Sequence, residues 1–144
     1  MADEPQFMLF RDDNAEFQQT VLDAQRTLAD FRRHVLAFGP TASACVKTLI
    51  TDDDERAYIW LLVAQLEGDD FIGSVFEIPP EFVHFGVGDY IRVPAADVMD
   101  WMLNDRGTLH GGYSLRLQRS KLPPEKHDWY DRHIGVTHYA AEAT

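Results

Sequence analysis

FQQTVLDAQRTLADFRRHVLAF, residues 17–38, decides how the rest of the chain is read. Within it Phe17, Val21, Ala24, Leu28, Phe31, Val35 and Phe38 recur at alternating steps of four and three, which places them on one stripe of an α-helix. Asp13 can cap the first turn with Glu16 three residues on, and Gly39-Pro40 stops the element. Arg32, Arg33 and His34 fall in the last turns, where the helix dipole favours cations. A helix of about 25 residues within 13–39 would run to about 37 Å. Three heptads with Ala24 in the seam make a weak zipper, so the helix is expected to lie across a sheet.

After Pro40 the period changes. Residues 43–50 and 57–64 are rich in β-branched and aromatic side chains, and the polar segment 51–56 between them reads as a hairpin tip. Strands are expected again at 71–77, ended by Pro79-Pro80, and at 90–93, ended by Pro94. A short helix is expected from Ala95 or Asp97 to Leu103. Residues 113–119 alternate polar and apolar, which reads as a further strand. Pro123-Pro124-Glu125 opens a last helix through about His133, with Gly135 beyond its end. The short strand connections favour antiparallel hairpins. The expected fold class is therefore α+β: a long N-terminal helix on a bent antiparallel sheet of four to six strands, barrel-like closure being one form of it, with short helices near the C-terminus. One domain is expected over 1–144, with a loosely ordered arm at 1–12, helix at 13–39, sheet core at 43–121, and C-terminal helix and tail at 123–139.

The chain has 144 residues, 24 acids, 13 bases and a net charge of −11. At that length a single core buries roughly 70% of the unfolded surface without staples. The single cysteine, Cys45, excludes a disulfide framework and a multi-thiolate zinc cluster, and fits a reducing compartment. No apolar run reaches the roughly 20 residues that span a bilayer, and Met1-Ala2-Asp3-Glu4-Pro5 does not read as a signal peptide, so the expectation is a cytoplasmic protein. All of the net charge lies before residue 100, densest at Asp52, Asp53, Asp54 and Glu55, with Glu67, Asp69 and Asp70 following. Such a field repels phosphate backbones and anionic membranes and steers a basic protein partner.

From residue 43 onward, several motifs recur in one order. They are Val46-Lys47, Tyr58-Ile59-Trp60, Phe71 with Gly73, Pro79, Gly88-Asp89 with Ile91 and Val93-Pro94, Asp100-Trp101-Met102, and Gly111-Gly112-Tyr113-Ser114-Leu115-Arg116. Upstream, Ala24-Gln25-Arg26-Thr27-Leu28 followed by Phe31 fits the same pattern. The chain resembles the YegJ-like bacterial domain of unknown function, family 2314, over residues 17–121. The Asp-Trp-Met and Gly-Gly-Tyr segments carry the resemblance most specifically. It implies no activity, cofactor or catalytic residue.

Two regions stand out as candidate sites. Asp100, Trp101, His110, Gly111, Gly112, Tyr113 and Arg116 lie in the one locally basic window, which also holds Arg106, Arg119, Lys121 and Lys126. Arg116 can clamp a carboxylate or other anion, and a carboxyl beside an indole can have a raised pKa. The bland alternative is an Asp100–Arg116 ion pair inside the fold, with the glycines marking a bulge. The acidic tip Asp52–Glu55 is the expected partner-docking region. It lacks the residue order of an EF-hand, and no P-loop, Rossmann glycine pattern or nucleophile elbow occurs. His127 and Asp131 share a helix face but lack further ligands at matching spacing. Cys45 has no neighbouring base and reads as a buried, inert thiol. No metal and no cofactor is expected. The reading is a monomeric, non-catalytic binding or regulatory domain that docks a basic protein. The alternative is a small enzyme or small-anion binder built on Asp100, His110 and Arg116.

Overall fold

Asn14 opens the first helix: its Oδ1 accepts the backbone amides of Glu16 and Phe17 at 2.8 and 3.1 Å. The computed structural model describes residues 14–141, so the arm expected at 1–12 and the cap expected at Asp13 lie outside the described residues. The long helix is two helices, α1 (Ala15–Arg26) and α2 (Leu28–Phe38), broken at Thr27 with φ −108° and ψ 12°. The Thr27 hydroxyl donates to the Asp23 carbonyl at 2.8 Å and accepts from Trp101 Nε1 and Tyr113 Oη, both at 3.0 Å. A hydroxyl has one donor and two acceptor sites, and all three are filled. Gly39, at φ 61°, ends α2.

The strands are β1 (Ser43–Asp52), β2 (Glu55–Glu67), β3 (Asp70–Val75), β4 (Tyr90–Val93), β5 (Asp100–Asp105), β6 (Thr108–Gly111) and β7 (His138–Tyr139). They form one open sheet in the order β4-β3-β2-β1-β5-β6-β7. Every pairing is antiparallel except β6 with β7. The class is α+β as expected, with seven strands in place of four to six. Two short elements exchange type. Residues 100–103 of the expected short helix belong instead to β5, which follows a 3-10 turn at Ala95–Asp97, and the expected strand 113–119 is α3 (Tyr113–Lys121). Between them Arg106 and Gly107, both at positive φ, make the two-residue turn of the β5–β6 hairpin. A 3-10 turn at Pro124–Lys126 and α4 (His127–Ile134) follow, with Gly135 at φ 74° ending α4 as expected.

Alternate residues of a strand point to opposite faces. Val46 stands beside Leu61 and Trp101, so these three share one face; Lys47 stands beside Trp60 and Asp100 on the other. Phe31 of α2 stacks on Trp101 at 5.0 Å between ring centroids and meets Phe71 at 5.5 Å, so α2 covers the first face. Phe17 of α1 meets Tyr58 at 5.2 Å, and Tyr58 lies two residues from Trp60 on the second face. The break at Thr27 lets one helical segment serve both faces. The main core lies on the first face around Val46, Leu61, Phe71, Trp101 and Leu103.

Gly111 and Gly112, at φ 69° and 68°, turn the chain from β6 into α3. A Cβ on Gly111 would stand 2.5 Å from carbons of the Trp101 ring, whereas one on Gly86 would meet nothing within 4 Å. Gly111→Ala combines a strained φ with overpacking and is expected to cost about 2–4 kcal/mol. Gly86→Ala should change stability by less than about 0.5 kcal/mol. Urea denaturation of the two variants checks the contrast.

Candidate functional site

The beginning of β5, the middle of β1 and the first turn of α3 meet at Asp100, which is 0% exposed. Its Oδ1 accepts the amides of Trp101 and Tyr113 at 2.8 and 3.2 Å. Its Oδ2 accepts the amide and the hydroxyl of Ser114 at 2.8 and 2.5 Å. Tyr113 and Ser114 are the first residues of α3, whose amides have no partner within the helix, so a side chain from β5 caps a helix that starts 13 residues later. Lys47 completes the cluster: its Nζ donates to Ser114 Oγ at 2.8 Å and lies 5.4 and 5.9 Å from the centres of the Trp60 and Phe17 rings. Burial pushes the Asp100 carboxyl up and the Lys47 ammonium down, and each charge opposes the shift of the other. Four donors from within the chain converge on the carboxylate. In this geometry its chemistry is to orient and cap.

The structure brings Asp100, Trp101, Gly111, Gly112 and Tyr113 together and directs Arg116 and His110 elsewhere. Arg116 donates to the carbonyls of Gly111, Leu109 and Ala140 at 2.8, 3.2 and 2.9 Å, tying β6 to the segment after β7. Its guanidinium has no ion pair with Asp100; the cation beside that carboxylate is Lys47. His110 stands beside Leu103, on the sheet face opposite Asp100, with its ring 4.8 Å from His34 and 5.3 Å from Phe38. Lys47, Ser114, Thr27 and His34 are members of these clusters that sequence reasoning did not single out. Lys47 carried a usable signal: a lone cation in the apolar run Ala44-Cys45-Val46-Lys47-Thr48-Leu49 needs a buried partner. Cys45 is buried as expected, and its thiol is pushed up to about 12 by burial. Asp131 accepts a two-pronged pair from Arg119 and a hydrogen bond from Tyr139, while His127 bonds the Leu122 carbonyl.

The acidic tip divides. Asp52 is buried: its Oδ2 accepts the amides of Val83 and His84 at 2.7 and 2.8 Å, and its Oδ1 pairs with His84 Nδ1 at 2.6 Å. Asp53, Asp54 and Glu55 are exposed. The Asp52 clip fastens the loop between β3 and β4 against the β1–β2 turn. A cleft of about 260 Å³ lies nearby, between the Thr48–Thr51 stretch of β1 and the Ile91–Val93 stretch of β4, with Phe85 on its wall. Neither Asp100 nor Arg116 lines it.

The His34–His110 pair sets a pH dependence. Burial lowers both pKa values from 6.5; Arg33 opposes the charged form of His34, and His34 opposes that of His110 more strongly than Asp105 favours it, with Arg116 and His138 adding to the lowering. The unfolded chain therefore takes up these protons first. The contribution of the neutral pair is complete above pH 6.5 and is lost as the pH falls through the lowered folded values. Urea midpoints at pH 7.5 and pH 5.5 should show a larger acid-induced loss for the native protein than for His110→Phe. An equal loss would contradict the assignment.

The family model for DUF2314, described as "Uncharacterized protein conserved in bacteria", matches residues 14–138. The chain is also similar to "Uncharacterized protein YegJ" of Escherichia coli (strain K12), 26% identical over 83 residues. That match covers 58% of this chain and 54% of the relative, so it spans about half the length of that protein. No solved structure matches. Asp100, Trp101 and the Gly111–Ser114 turn, which form the interior cluster, lie within the family match, and the chain belongs to the bacterial DUF2314 family.

Proposed function

We propose that this protein is a non-catalytic binding domain that docks a basic protein through its β1–β2 turn, the β3–β4 loop and the adjoining outer face of the sheet. The observation carrying this reading is the presence of exposed apolar side chains beside a run of exposed acidic residues. Val83 is 73% exposed and Tyr90 70%, with Val87, Phe76 and Leu62 also at the surface. Leu62, Ser74 and Tyr90 stand in register across β2, β3 and β4, so Leu62 and Tyr90 share one face. The Asp52 clip holds Val83 next to the exposed Asp53. At the other end of β2, by contrast, Arg92 pairs with both Glu67 and Asp70. The exposed acids therefore cluster on the turn that carries Asp53, Asp54 and Glu55. Apolar anchors ringed by charge are the anatomy of a protein interface, and the charge confers steering and salt sensitivity.

The competing reading, a catalytic or anion site at Asp100, His110 and Arg116, has less support. The three groups point in different directions, and Arg116 is committed to three carbonyls. A monomeric cytoplasmic protein is part of the proposal. Among the described residues no helix is long and apolar enough to cross a membrane.

Affinity capture with the tagged chain tests the docking surface. The expected result is a basic protein retained at about 50 mM salt and released at about 500 mM. Tyr90→Asp should abolish its capture, whereas Leu36→Asp, at an exposed position on α2, should not. Capture that ignores salt, or that both variants preserve, would overturn the reading.

A further inference from the structure

The clip between the β1–β2 turn and the β3–β4 loop is also an arrangement of metal-ligand atoms. Asp52 Oδ1 lies 2.6 Å and Asp53 Oδ2 3.7 Å from His84 Nδ1, and one ligand atom from each residue falls within 4.8 Å of the others. The Asp52 side chain is 2% exposed. Its Oδ2 is anchored by two backbone amides, which leaves Oδ1 buried, aimed at the imidazole and without a hydrogen-bond partner outside this group. Outer hydrogen bonds of this kind orient ligating carboxylates. The Asp53 and His84 side chains are two-thirds or more exposed, so they can adjust, and water can reach the remaining coordination positions.

We propose that Asp52, Asp53 and His84 bind a divalent transition-metal ion, with zinc the best fit, which fastens the β3–β4 loop to the β1–β2 turn. Bonds of about 2.0–2.2 Å to imidazole nitrogen and carboxylate oxygen place ligand atoms of a tetrahedral site about 3.3–3.6 Å apart. The His84–Asp53 separation is already close to that spacing, and the His84 ring reaches it on the other side by moving away from Asp52 by about 1 Å or less. Two carboxylates and a neutral imidazole balance the double charge of the ion, and Asp54 and Glu55 next in the chain add to the attraction. One nitrogen with two oxygens suits zinc or manganese; calcium takes six to eight oxygens. A proton on Nδ1 competes for the same place, because it makes His84 a cation held by both carboxylates. Binding therefore releases that proton and weakens in acid. This inference does not depend on the docking proposal, since the ion's binding is measured without any partner.

Calorimetric titration of the full chain with zinc chloride at pH 7.5, with manganese and calcium in parallel, tests it. The expected result is one saturable zinc site, an affinity about tenfold or more lower in Asp53→Asn and in His84→Ala, and no calcium binding. Zinc should raise the melting temperature of the native chain and not that of the variants. Both variants change exposed side chains, and melting in chelator confirms that each is folded. Zinc binding no tighter in the native chain than in the variants, or no binding at all, would overturn the proposal.

Discussion

A buried carboxylate holds this fold in register. Asp100 is at the first position of β5, beside Lys47 of β1, and accepts the leading amides of α3. Without it, three elements that meet on the second face of the sheet would lose their common partner. Removing one member of a buried charged group typically costs about 3–5 kcal/mol, because the remaining charge is left uncompensated. The energetics thus favour keeping Lys47, Asp100 and Ser114 as a set. On the opposite face Trp101, the next residue, fills the core and donates to Thr27, so two successive residues of β5 connect the sheet to α3 and to the break between α1 and α2.

The parts of the structure that were readable in the sequence are those governed by local periodicity. The apolar stripe from Phe17 to Phe38 is helical, and the hairpin around Asp52–Glu55 is present. What escaped notice is set by residues far apart in the chain. The break at Thr27 depends on donors 74 and 86 residues away. Residues 113–119 alternate like a strand, but two left-handed glycines and a remote carboxylate start a helix there. Trp101, Met102 and Leu103 form an unbroken apolar run because β5 is covered on both faces, by α2 against Trp101 and by α3 on the side of Asp100. Of the candidate site residues, the Asp100–Tyr113 group assembled around the carboxylate; Arg116 and His110 face other partners.

The acidic surplus takes on a location in three dimensions. Arg92 balances Glu67 and Asp70, Arg119 balances Asp131, and Lys47 sits with Asp100. His84 faces the turn carrying Asp53, Asp54 and Glu55, and Arg56 follows that turn in β2. Val83, the most exposed apolar side chain of the β3–β4 loop, is fastened to that same turn. The clip, Val83 and the exposed acids therefore meet at one end of the sheet, whereas Leu62 and Tyr90 stand further along it, on the face that also carries Lys47.

Amide hydrogen exchange at Tyr113 and Ser114 tests the central role of Asp100 most directly. First-turn helix amides ordinarily exchange quickly, since they lack intrahelical partners. With the carboxylate in place, both should be protected to nearly the level of the β1–β5 ladder, and Asp100→Asn should sharply reduce that protection. Rapid exchange of these two amides in the native protein would contradict the account.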